Sequence, residues 1–276
     1  MNRSLAGIAI LAATISGTGK AMDSTVVATS IGDDFVNDIG IALNDAGSWF
    51  TAPLHFSGTD WIIAGAGVGS IGLAMTADEY VRMHVGRSTI QTLNNDFWDI
   101  PTRYGIPVYA NSLGLVTYGA GLFGRNTWLR TTGRMIIEAQ AFAGVTTIVL
   151  RYIAARSRPY SGDGPWHYNG FTWNNEIQSF PSGHTTVAFA LSTVLAERID
   201  NIWARIALYG FASLTAFSRV YNNQHWFSDV LVGAAIGIGS GLHVVSCETH
   251  RTSTATRGAL EVLPTPEGIR LTLSIP

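Results

Sequence analysis

Two histidines, three arginines, a serine and an aspartate stand in three short stretches of a chain otherwise poor in charge. Arg151 and Arg158-Pro159 form the first stretch, Pro181-Ser182-Gly183-His184 the second, and Ser218-Arg219, His225 and Asp229 the third. Guanidinium groups, a hydroxyl and imidazoles are the equipment of a phosphoryl-transfer site that works without a metal. Such transfer needs mainly positioning and stabilisation of charge on oxygen. Asp229 lies one helical turn beyond His225, where it can accept the imidazole Nδ1–H and leave Nε2 free as base or nucleophile. Arg151 and Arg158 are seven residues apart and predict one face of a helix two turns long that Pro159 stops. Gly183 allows close backbone approach at a helix N-terminus, where amide hydrogens and the dipole favour an anion.

Taken singly, each of these pieces has an ordinary structural explanation. Cations cap helix C-termini, Ser182 is a good N-cap residue, and an i,i+4 charged pair on a helix surface is worth about 0.2–0.5 kcal/mol. Their joint placement decides otherwise. Six apolar segments run over roughly 61–77, 106–124, 135–154, 184–197, 202–221 and 227–246, each rich in small residues that let helices approach closely. Successive helices of a bundle alternate in direction. The end of the third segment, the start of the fourth, the end of the fifth and the start of the sixth then share one face, and every residue of the constellation sits at one of those four ends. An amphipathic helix carrying Ile31, Phe35, Val36 and Ile39 precedes the bundle. The alternation over 259–276, broken at Pro264-Thr265-Pro266-Glu267-Gly268, predicts a β-hairpin.

The chain of 276 residues is 47% hydrophobic and only 13% charged, with mean hydropathy +0.22; a soluble domain is about 25% charged. An integral membrane protein or a tight bundle of buried helices fits these figures. Polar residues inside the segments (Asn111, Ser112, Thr117, Glu138, Gln140) and the short fourth segment count against six full spans, since a span needs about 20 apolar residues. A net charge of −2 gives no electrostatic case for nucleic acid. A single cysteine, Cys247, excludes an internal disulfide and a thiolate zinc site. Arg3, the apolar run 5–15 and the small residues up to Ala21 read as a secretory signal, with an uncleaved anchor as the alternative, and either exports the chain. If the N-terminus were outside and all six segments spanned, the end of the third would face the cytoplasm; arginines in nearly every loop leave orientation open. The aromatic loop 160–173 reads either as a rim for an apolar substrate tail or as a packed connection.

The three stretches resemble the motifs of the type 2 phosphatidic acid phosphatase and vanadium haloperoxidase superfamily: Lys-x6-Arg-Pro, Pro-Ser-Gly-His and Ser-Arg-x5-His-x3-Asp. The last two match completely, and the first matches in spacing with Arg151 in the lysine position. Arginine keeps the charge but offers a planar fork in place of an ammonium. The resemblance covers about 135–246 and implies an all-α fold with a six-helix bundle core, to which the hairpin is added. It implies that His225 attacks phosphorus, that Asp229 orients it, and that His184 protonates the leaving oxygen and then activates water. Arg151, Arg158, Arg219, Ser182 and the Gly183 amide are implied to hold the phosphate oxygens. No metal and no cofactor are implied, with vanadate as an inhibitor. The expected substrate is a membrane lipid phosphate, at a site on the periplasmic side of a bacterial membrane. The alternatives are a soluble acid phosphatase for small esters and a haloperoxidase that uses vanadate as cofactor. The expected division is a signal over 1–21, a helical extension over 22–59, the phosphatase domain over 60–250 and the hairpin tail over 255–276.

Overall fold

The structure, a computed structural model, describes residues 30–86, 95–174, 177–257, 260–265 and 268–273. The expected signal lies outside the described residues. The described residues divide into two compact units, residues 30–245 and those from 246 onward.

Among the described residues nine α-helices follow one another: α1 (Ile31–Thr51), α2 (Gly58–Thr76), α3 (Asp78–Val85), α4 (Asn95–Tyr104), α5 (Pro107–Phe123), α6 (Thr127–Ala154), α7 (Gly183–Ile199), α8 (Ile202–Tyr221) and α9 (Phe227–Arg257). Local chemistry sets many of their ends. Ser30 with Asp33 and Ser57 with Asp60 form reciprocal capping boxes that start α1 and α2. Pro107 occupies the first turn of α5, and Asn126 and Asn201 cap α6 and α8. α6 stops at Ala154 because Ala155 turns into the left-handed region at φ 42°.

The expected six-helix core is overturned: among the described residues nine helices are present, and no strand contributes to the body over 30–245, the only strands being in the separate tail. The two additional helices next to the bundle, α3 and α4, are short and weakly apolar, so no long hydrophobic run announces them. In the tail, taken by itself, Leu260–Thr265 pairs antiparallel with Gly268–Leu273, Val262 facing Leu271 in the register.

The core lies between α6, α7 and α9. Met135, Ile136, Ala139, Phe142 and Ala143 of α6 pack against Val187, Ala190, Leu191 and Val194 of α7 and Val244 of α9. Gly233, Gly237 and Gly241 seat α9 along α7. A Cβ on them would fall 2.6 Å from Ser182 O, 2.5 Å from Thr186 O and 2.7 Å from Thr193 Cβ. The helix that carries His225 and Asp229 at its start therefore lies backbone-to-backbone on the helix that carries His184.

The body is partly inside out. α1 buries Asp38 and Asp45 and exposes Val36 (68%) and Leu43 (69%), so the predicted apolar face of this helix looks away from the bundle. Asp38 instead accepts from Tyr118 Oη at 3.0 Å and faces Arg130 at 3.4 Å. α2 has no buried residue although it is strongly apolar. Large exposed apolar surface combined with buried, paired charge is the signature of a protein whose surroundings are hydrocarbon. Among the described residues two helices, Thr127–Ala154 and Phe227–Thr254, are long and apolar enough to cross a membrane. α2 and α3, bent by 47° at their junction, make a third if counted as one span.

Candidate active site

The structure brings all eight predicted residues to one face of the body. Arg151 lies in the last turn of α6. Ser182 occupies the N-cap position of α7, followed by Gly183 and His184. Arg219 ends α8. His225 precedes α9, and Asp229 lies in its first turn. Backbone hydrogen bonds stitch these ends together: Ser182 N donates to Asp229 O at 3.0 Å, and His225 N to Arg219 O at 3.3 Å.

Arg151 and Arg158 do not share a helix face, contrary to expectation. The helix ends between them, and Arg158 stands on extended backbone before a short 3-10 turn at Pro159–Ser161. Arg151 Nε donates to Pro181 O at 3.0 Å, which draws its guanidinium over Gly183. A Cβ on Gly183 would lie 2.9 Å from Arg151 Nη2, so only glycine leaves that fork in place. Arg158 Nη1 reaches Gln224 O at 3.3 Å, beside His225. Arg219 is 9% exposed, and its Nε has no hydrogen-bond partner among the described residues. A buried, unpartnered guanidinium N–H is costly, and an oxyanion is its natural complement. Ser182 makes no side-chain cap; its Oγ accepts from Thr185 Oγ1 at 3.0 Å.

The geometry fixes the tautomer of His225. Its Nδ1 stands 2.7 Å from Ser179 O. A carbonyl only accepts, so Nδ1 carries the hydrogen and the neutral ring leaves Nε2 with its lone pair. The hydrogen bond expected from Asp229 is not made: Asp229 Oδ2 is 3.8 Å from Nδ1, an ion-pair distance. Asp229 acts one bond further back. Its Oδ2 accepts from Ser179 Oγ at 2.5 Å and Trp226 N at 2.8 Å, holding the residue whose carbonyl orients the ring.

Sequence reasoning missed the residue that anchors this arrangement. Arg156 is completely buried. Its Nη1 donates to Asp229 Oδ1 at 2.6 Å and Ser228 Oγ at 2.8 Å, its Nη2 to Asp78 Oδ2 at 2.7 Å, and its Nε to Pro165 O at 2.8 Å. Asp78, at the start of α3, also accepts from Ser228 N at 2.8 Å and Ser228 Oγ at 2.6 Å. The guanidinium packs between the rings of Trp226 and Tyr168, at 5.4 Å and 5.7 Å from their centroids. Two signals were available: a third arginine inside the first motif, and an acid directly after an apolar run.

Both histidines are neutral near neutral pH. Burial, with Arg219, His225, Arg151 and Arg158 adding repulsion, lowers His184 to about 3. Burial lowers His225 to about 4 against the pull of Asp229. Arg151 and Arg158 act on both imidazoles and Arg219 on His184, which is the electrostatic mark of one convergent site.

Of the aromatic loop, Trp166, Phe171 and Trp173 are 57%, 70% and 67% exposed, so it is not packed into the bundle. Trp173 stacks on Tyr152 of α6 at 4.5 Å. Exposed tryptophan and tyrosine beside a site are at home in the headgroup layer of a bilayer.

A helical body with arginines and histidines gathered at four helix ends is the architecture defined by fold and site. Residues 134–253 match the family model of the PAP2 superfamily. Over 125 residues, 44% of this chain, the sequence is 37% identical to a lipid A 1-phosphatase of Porphyromonas gingivalis, of which the match spans 24%. Over 141 residues, 50% of this chain, it is 28% identical to the undecaprenyl-diphosphatase BcrC of Bacillus subtilis, of which it spans 66%. The crystal structure of a transmembrane PAP2-type phosphatidylglycerolphosphate phosphatase from Bacillus subtilis aligns over 78% of this chain and 96% of its own, at 20% identity and a TM-score of 0.47.

Proposed function

We propose that this protein is a phosphatase that removes phosphate from a membrane lipid, with its site at the periplasmic face of the membrane. What carries the reading is the pairing of His225, whose Nε2 is left free by Ser179 O, with a cluster of three arginines at a helix N-terminus. Nε2 attacks phosphorus, and the P–O bond to the lipid breaks as the N–P bond forms. Arg151, Arg158 and Arg219, with Ser182 and the Gly183 amide, hold the equatorial oxygens. His184 gives its proton to the leaving oxygen, then takes one from the water that hydrolyses the phosphohistidine. The apolar exterior and the exposed loop aromatics support a lipid over a soluble ester. The test is phosphate release by the detergent-solubilised protein from a panel of lipid phosphates beside soluble phosphomonoesters. Turnover of lipids at least about tenfold above soluble esters is expected; the reverse preference would sink the lipid assignment.

The acid role of His184 has a consequence for binding. Burial and, after it, the cations hold it neutral, whereas a bound dianion offsets the cations and raises its affinity for a proton. Anion binding therefore takes up a proton, and affinity rises as pH falls, by up to about tenfold per pH unit. Sulfate, which stays a dianion, is the probe. Calorimetry in buffers of different ionisation enthalpy from about pH 8 to about pH 6 should show net uptake; proton release on binding would contradict the role.

A further inference from the structure

We infer that Gly105, at the corner between α4 and α5, is a positioning residue for His184: its close contact with the His184 backbone sets where that imidazole meets the leaving oxygen. This rests on the phosphatase reading above. His184 is half-buried, and its ring makes no hydrogen bond among the described residues. His225, by contrast, is held at Nδ1 by Ser179 O. The place of the His184 ring therefore follows from the place of its backbone, and that backbone is what Gly105 touches. A Cβ on Gly105 would fall 2.5 Å from His184 O, 3.0 Å from His184 C and 2.7 Å from Thr215 Cγ2. Gly105 is buried and is not among the positive-φ glycines, so alanine suits its backbone conformation and fails only on space.

The corner is built to hold that spacing. Gly105 N donates to Thr102 O at 3.1 Å and Ile106 N to Arg103 O at 3.0 Å, and Pro107 fixes the first turn of α5. Thr215 Oγ1 of α8 donates to Pro101 O at 2.6 Å. Ser218 Oγ gives its hydrogen to Thr215 O at 2.7 Å, so Thr102 Oγ1 is the donor in its 3.0 Å contact with Ser218 Oγ. Ser192 Oγ likewise gives its hydrogen to Leu208 O at 2.9 Å and accepts from Tyr104 Oη at 2.8 Å. The end of α4 is thus tied to α7 at Ser192 and to α8 at Thr215 and Ser218, the neighbour of Arg219. The serine of the third motif is completely buried and serves this brace. One corner fixes the acid relative to the helix end that carries the arginine.

A general acid works only within hydrogen-bond reach and contributes about 10²- to 10⁴-fold. An alkoxide takes the His184 proton as its P–O bond breaks, whereas a nitrophenolate departs as the anion. Displacing His184 is therefore read as a loss confined to the poor leaving group, which general damage to the fold does not mimic.

The experiment measures kcat/KM for dodecyl phosphate and para-nitrophenyl phosphate in one detergent, with sulfate affinity by calorimetry. The proteins are wild type, His184→Ala, Gly105→Ala and Thr215→Val. His184→Ala should lose about 100-fold or more on the alkyl ester and little on the aryl ester. Gly105→Ala should repeat that pattern, by about 100-fold against less than about fivefold, with sulfate affinity within about threefold of wild type. Thr215→Val removes the hydroxyl that holds Pro101 O without adding volume, and should show the same selectivity at about tenfold. It carries the test if Gly105→Ala fails to fold, which loss of sulfate binding would reveal. Equal losses on the two esters, or no loss on the alkyl ester, overturn the positioning role. Equal losses in His184→Ala overturn the acid role and the positioning with it. No phosphate release by the wild type from either ester overturns the phosphatase reading itself.

Discussion

His225→Ala is expected to lower phosphate release by about 10⁴-fold or more, the scale seen when a covalent nucleophile is removed. The ring is buried and held by one hydrogen bond at Nδ1, so Nε2 has no task in the fold. In the proposed mechanism, removing the ring removes the atom that forms the N–P bond, while Arg151, Arg158 and Arg219 remain to bind the anion. Turnover should fall with sulfate binding retained, and that split separates lost chemistry from lost folding. Alkaline quenching should trap a phosphohistidine in the wild type, identifiable at residue 225 by peptide mass, and none in the variant. His225→Asn, nearer in volume, should behave as the alanine variant does. Full turnover by either would remove His225 from the reaction.

The second large effect is expected at Arg156, which no substrate atom need touch. Arg156→Met keeps much of the volume and deletes the charge, leaving Asp78 and Asp229 buried together without a cation. Breaking a buried ion pair from one side costs about 3–5 kcal/mol, readable as a lower unfolding midpoint. Activity should also fall, by about 100-fold, because Asp229 no longer holds Ser179 where its carbonyl aims the imidazole. Arg156→Lys keeps one charge but cannot span both carboxylates and should fall between the two. Adding Asp78→Asn to Arg156→Met should recover part of the stability, since one orphaned charge is removed. Independent, additive losses in that double variant would show that the network is not energetically coupled.

Much of the frame was legible because helix ends are written locally. α8 runs from Ile202 to Tyr221, coincident with the apolar run, and α7 begins one residue before His184. Alternation of helix direction then placed Arg151, Ser182, Gly183, His184, Arg219, His225 and Asp229 on one face. What escaped depends on contacts between distant segments. Nothing near Ala155 predicts a left-handed residue, since glycine is the usual signal there, so Arg158 was assigned to a helix that ends before it. The partners of Asp229 were assigned by sequence proximity, yet its shortest bonds go to Ser179 and Arg156, 50 and 73 residues away. The outward apolar face of α1 reversed the usual reading of amphipathicity, because the solvent for that face is not water.

The contact between Asp78 and Ser228 joins residues 150 positions apart, and that between Asp78 and Arg156 joins residues 78 apart. Closing loops of that length carries an entropic cost that local helix contacts do not, and folding slows as contacts become less local. The helices can therefore collapse and pair well before the carboxylate network locks. A chain in that intermediate condition would be helical, membrane-competent and inert. Turnover is therefore expected to report complete folding more strictly than helix content does.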